Sequence, residues 1–78
     1  IVLQKVIVNE HTRLKGKSIR ESHIREQTDG LVVGIERNNE RILNPASDTI
    51  FEWNDIVWIV GNKEKIKNLY HHSSHAMN

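Results

Sequence analysis

Residues 31–61 read LVVGIERNNERILNPASDTIFEWNDIVWIVG. An apolar run leads into Asn38-Asn39, and the chain returns over Arg41, Ile42 and Leu43. Asn44-Pro45 turns it away, and a second apolar run, 56–60, stops at Gly61. Runs rich in β-branched and aromatic residues, punctuated by Asn, Pro and Gly, mark strands joined by tight turns. Asn38-Asn39 suits a primed turn because Asn tolerates positive φ. Pro45 has no N–H to offer a ladder and ends the returning strand. Gly34, inside the first strand, is expected to permit a close backbone approach. Five consecutive apolar residues, Ile56-Val-Trp-Ile-Val60, predict a central strand covered on both faces, with Trp58 packed in the core. Trp53, beside the Asn54-Asp55 turn, suits either the core edge or a subunit interface.

Upstream, residues 1–8 (IVLQKVIV) read as a strand with Val6 and Val8 on one face. Ile1 to Leu3 are apolar on both faces, as a linker remnant or a strand pairing with a second subunit would be. Leu14 is the apolar anchor of the following turn. Ser18-Ile-Arg-Glu21 spells a capping box, in which the Ser hydroxyl and the Glu carboxylate satisfy each other's backbone amides. Ile19 and Ile24 are five apart, which no single amphipathic stripe accommodates. The spacing predicts a short helix near 18–22, a break, and helical turns to Thr28 closed by Gly30 as a left-handed stop. Downstream, Asn62 caps a last helix whose Ile66, Leu69 and Tyr70 share a face. Residues 71–78 have no periodicity and read as a tail. The fold class is therefore α+β: one domain over 1–78, ordered from about 3 to 70, with a small antiparallel or mixed sheet and two helical segments.

The totals limit what such a domain does alone. At 78 residues, a chain buries only about 60% of its unfolded surface, so its core is marginal. Without cysteines, neither disulfides nor thiolate zinc sites supplement it. Pairing or docking onto a larger parent is the remaining source of stability. The chain starts at Ile1 and its only Met is Met77, so it reads as a piece of a longer protein. It holds no apolar run near the roughly 20 residues that span a bilayer. Eleven Lys/Arg against ten Asp/Glu give a net charge of +1, and the basic stripe of a nucleic-acid binder is missing.

Catalytic patterns are missing as well. Ser, His and Asp occur, but outside any nucleophile-elbow context. Gly30 and Gly34 do not make a phosphate-cradling G-x-G-x-x-G. An enzyme is not expected. His71, His72 and His75 invite a metal reading but lack a carboxylate partner and a rigid frame, and His11 and His23 are isolated, so no metal site is assigned. Arg37 and Arg41, flanked by Glu36 and Glu40, fit either a phosphate grip or a solvated hairpin with weak cross-strand pairs.

The ordered set Leu14-Lys-Gly-Lys-Ser-Ile19, Ile24-Arg25-Glu26, Leu31-Val-Val-Gly-Ile35 with Arg37, Pro45-x-x-Asp48-Thr49 and Asn54-Asp55-Ile-Val-Trp-Ile-Val-Gly61 resembles the TrkA-C domain. This is the C-terminal domain of regulators of potassium conductance. Asn54 stands where the family usually has Gly, and Ser22 where it often has an apolar residue. The resemblance implies an α+β homodimer and a cytoplasmic regulatory role. Such domains are attached to monovalent cation (K+ or Na+)/proton antiporters, potassium channels or uptake systems. It also implies, for some relatives, a small ligand such as cyclic di-AMP in the cleft between two subunits. Carried onto this sequence, the ligand-binding candidates are Ile35, Arg37, Asn38, Ile42 and Pro45. The alternative implied is a purely structural dimerisation module of a membrane transporter that binds nothing small.

Overall fold

The computed structural model describes residues 1–70. The order along the chain is β1 (Val2–Ile7), α1 (Ile19–Ser22), α2 (Ile24–Thr28), β2 (Leu31–Arg37), β3 (Glu40–Leu43), β4 (Ile56–Gly61) and α3 (Lys63–Lys67). All strand pairs are antiparallel, in the spatial order β1-β4-β2-β3. The last strand of the chain thus lies in the middle, between β1 and β2, as its unbroken apolar run predicts.

The helices lie on one face of this sheet. Between the two layers sit Val6, Val8, Ile24, Ile35, Phe51, Val57 and Ile59, each at most 1% exposed. Ile19 and Ile24 both reach this core because the helix breaks between them. His23 takes a left-handed conformation, φ 54°. The Ser22 hydroxyl bridges the break, donating to the Ile19 carbonyl at 2.7 Å and accepting from the Ile24 amide at 3.2 Å. A polar residue at position 22 is therefore part of the kink, and the expected first helical segment is two short helices. The capping box forms as read: Ser18 Oγ accepts from the Glu21 amide and Glu21 Oε1 from the Ser18 amide. That amide bond, with the Ser18 hydroxyl second, holds the Glu21 carboxyl below its ordinary pKa. Asn62 caps α3 by accepting from the Lys65 amide.

Three expectations are corrected. The left-handed stop after α2 is Asp29, φ 55°, not Gly30. Gly30 is required for another reason: a Cβ there would fall 1.7 Å from the Val60 carbonyl oxygen. Its missing side chain lets the α2–β2 corner lie against β4. Gly34, by contrast, has room, because its Cβ would meet nothing nearer than 3.5 Å. It follows a bulge between Val32 and Gly34, which returns Ile35 to the core face opposite Val57. Finally, β4 is central but covered on one face. Val57, Ile59 and Gly61 are buried, while Ile56, Trp58 and Val60 are half-buried on the outer face. Trp58 thus lies outside the core, with its Nε1 donating to Glu36 Oε2 at 2.9 Å and Lys5 Nζ 5.9 Å above its ring.

The two glycines should separate cleanly in urea unfolding. Gly30→Ala is expected to cost about 3 kcal/mol, because the clash is with backbone. Gly34→Ala should fall within about 1 kcal/mol of the wild type and towards greater stability, since it restricts only the unfolded chain.

Candidate functional site

The hairpin β2–β3 carries four of the five candidate residues. Asn38 and Asn39 close it with φ 52° and 66°, the pair of positive values that a primed turn demands. Ile35 and Ile42 stand directly opposite each other, Ile35 fully buried and Ile42 packed against the core from the edge. Asn38 is exposed at the tip.

Arg37 points inward, away from Glu40, its partner in the register. Its Nε donates to Asp55 Oδ1 at 2.8 Å and its Nη2 to Asp55 Oδ2 at 2.7 Å. Nη2 also donates to the Ile50 carbonyl at 2.9 Å, while Nη1 lies 3.5 Å from Glu52. Asp55 is inaccessible to solvent, and Oδ2 accepts a further bond from the Glu52 amide. A bidentate guanidinium–carboxylate pair matches donors to acceptors in one plane. The hydrogen bond to Asp55, first among its causes, raises the Arg37 pKa. The pair locks the hairpin to the loop that feeds β4. The sequence allows Arg37 either a phosphate grip or a solvated place on the hairpin; the structure gives it a buried partner instead. What points to this partner in the sequence is Asp55, a carboxylate immediately before the apolar run.

Pro45, the fifth candidate, lines a pocket of about 240 Å3 with Ile19, Arg25, Leu31, Val32, Asn44 and Ser47. The pocket opens where β3 ends and leaves the first residues of β2 uncovered. Asn44 makes this corner with φ 49° while its amide donates to the Val33 carbonyl. Ile19, Leu31 and Val32 give an apolar wall. The Arg25 guanidinium makes no hydrogen bond or ion pair among the described residues. Ser47 Oγ accepts from Arg20 at 2.8 Å, which brings a second cation to the rim. The tip of the hairpin is roughly 17 Å from this pocket, at about 3.3 Å per residue along β2. The structure therefore sets Pro45 apart from Arg37 and Asn38. Sequence reasoning missed Arg25, Asn44 and Ser47 here, although Arg25 and Asn44 stand within or beside quoted motifs.

His11 and His23 are exposed, and no group of metal-ligating side chains gathers among the described residues. His71, His72 and His75 lie outside the described residues. Among the described residues, no helix is long and apolar enough to cross a membrane.

Against this geometry, the sequence profile of the TrkA-C domain matches residues 3–72. The chain belongs to the TrkA-C domain family. Among curated proteins it is 30% identical over 69 residues to probable potassium channel protein 2 of Methanocaldococcus jannaschii, covering 88% of this chain and 20% of that protein. It is 29% identical over 72 residues to the K(+)/H(+) antiporter subunit KhtT of Bacillus subtilis, covering 91% of this chain and 44% of that subunit. The TrkA-C domain described here thus spans less than half of either relative. Among solved structures, it resembles the RCK_C domain dimer of Streptococcus agalactiae BusR in complex with c-di-AMP. The TM-score is 0.73 at 28% identity, covering 86% of this chain and 88% of that one. The RCK C domain of the potassium transport protein KtrA shares the fold, with a TM-score of 0.74 at 24% identity, covering 85% of this chain and 75% of that one.

Removing the guanidinium tests the assignment of Arg37 to the fold. Arg37→Ala leaves a buried carboxylate unpaired and is expected to cost about 3–5 kcal/mol, read by urea unfolding followed through tryptophan fluorescence. Arg37→Lys should recover little, because an ammonium cannot make the fork. A cost below about 1 kcal/mol for Arg37→Ala would return the residue to the solvated-hairpin reading.

Proposed function

We propose that this chain is the cytoplasmic regulatory domain of a monovalent-cation transport protein, a potassium channel or a potassium/proton antiporter system. In this reading it pairs with a second copy and takes a small anionic ligand at the corner beneath Pro45. Family membership and the likeness to a channel and an antiporter subunit support the transport part. The likeness to a dimeric RCK_C domain supports the pairing. The role is regulatory, not catalytic.

The observation that carries the ligand part is the uncommitted Arg25 beside an apolar wall in the Pro45 pocket. A planar base packs on Ile19, Leu31 and Val32, a phosphate meets the guanidinium fork, and Asn44 supplies both donor and acceptor for a base edge. Cyclic di-AMP combines these groups, and the BusR domain was solved with it. Pro45 remains a ligand contact in this proposal, whereas Ile42, opposite Ile35 and packed against the core, does not line the pocket. Ile35 and Arg37 serve the fold, and Asn38 would be reached only by an extended ligand. The mechanism is a population shift: a ligand that fits one arrangement of two subunits better favours it, and the attached transport domain responds. A purely structural pairing module is the second reading, favoured by the half-open apolar face of the sheet.

Calorimetry with cyclic di-AMP separates the two. A sensor should give a saturable heat that Arg25→Ala weakens by about tenfold, the loss of one charge-assisted contact, while Asn38→Ala binds like the wild type. Arg25 is the discriminating position because Arg37→Ala would report stability instead. No heat at high micromolar nucleotide would rule out this ligand, and unchanged affinity in Arg25→Ala would rule out this pocket.

A further inference from the structure

The rim of the Pro45 pocket holds a second guanidinium. Arg25 lines the pocket itself. Arg20 does not, but its Nη2 donates at 2.8 Å to the hydroxyl of Ser47, which does. In one unbroken helix, residues five apart point about 140° away from each other. The left-handed turn at His23, φ 54°, breaks that relation. The edge of one pocket is therefore met from α1 by Arg20 and from α2 by Arg25.

Arg20 is fixed in place and its charge is left over. Its amide donates to the Ser47 carbonyl at 2.9 Å while its guanidinium donates to the hydroxyl of the same residue. The Ser18–Glu21 capping box secures the helix that carries it. A hydroxyl is neutral, and that bond uses one of the five donors of a guanidinium. Arg20 makes no ion pair among the described residues. Its side chain is exposed, so the remaining donors are open to an incoming group. No carboxylate lines the pocket, whose polar side chains are Arg25, Asn44 and Ser47. Of the acids near by in sequence, Glu21 is committed to the Ser18 amide, and Glu26 and Asp48 are exposed outside the lining. Two cations and no anion at one pocket edge suit a phosphodiester, whose two free oxygens can each accept from one guanidinium.

We infer that Arg20 and Arg25 clasp one phosphate of the ligand between them, Arg25 from within the pocket and Arg20 from its rim, with Ser47 holding Arg20 ready. This rests on the Pro45 pocket proposed above and adds its second anion contact. Calorimetry with cyclic di-AMP at low and high salt tests it, with circular dichroism to check that each variant is folded. Arg20→Ala should weaken binding by about tenfold, as loss of a charge-assisted contact does. It should also flatten the salt dependence, because one of the two attracting charges is gone. Ser47→Ala cuts the same tie between loop and helix but keeps the charge. It should stay within about threefold of wild type, with the wild-type salt dependence. Arg20→Ala within about twofold of wild type overturns the clasp and leaves the pocket standing. So does Ser47→Ala matching Arg20→Ala in both affinity and salt dependence, since Arg20 would then only tie the loop. Unchanged affinity in Arg25→Ala, or no heat from the wild type, overturns the pocket and the clasp together.

Discussion

One buried carboxylate organises this domain. Asp55 has no contact with water, and it is bound by Arg37 from the end of β2 and by the Glu52 amide from its own loop. A buried charge is tolerated only when its lone pairs are met. Meeting them fixes the direction in which the hairpin leaves β2 and the point at which β4 begins. Arg37 also reaches the Ile50 carbonyl, beside the bridge from Ile50 to Ser18 that starts the helical segment. The constraint thus runs from the hairpin through the loop to the first capping box. Among the described residues, no buried side-chain polar atom lacks a partner, and Asp55 is the one where failure would cost most.

This commitment separates three tasks along one short strand. The inner side of β2's far end belongs to the fold, through Ile35 and Arg37. Its first residues, left uncovered by β3, wall the Pro45 pocket beside Arg25. Its outer side carries the Gly34 dent beside Leu43 and Trp58.

Much of the architecture was legible in local chemistry. The turn at Asn38-Asn39, the capping box at Ser18 and Glu21, and the break between Ile19 and Ile24 each follow from backbone demands a few residues long. What local pattern could not give was which face of the sheet is covered. Ile56 to Val60 is apolar throughout, yet its outward residues meet no second layer within one chain. Periodicity reports apolarity and says nothing of what supplies the cover. Trp58 lies outside the core for that reason. The use of Gly30 is a close approach and not a left-handed turn, visible only once β4 lies beside it. Of the candidate residues, Pro45 lines the pocket, while Arg37 is committed to Asp55, 18 residues away in sequence. Arg25 comes from a helix that the hairpin motif does not mention.

The most direct test of the account is residue-resolved mapping of ligand contact on the isotopically labelled chain by NMR, titrated with cyclic di-AMP. The largest amide shifts are expected at Leu31, Val32, Asn44 and Ser47, around the Arg25 side chain, with Asp55 and its loop unmoved. Shifts confined to the Asn38-Asn39 tip and the Arg37 loop, with the Pro45 corner silent, would contradict it.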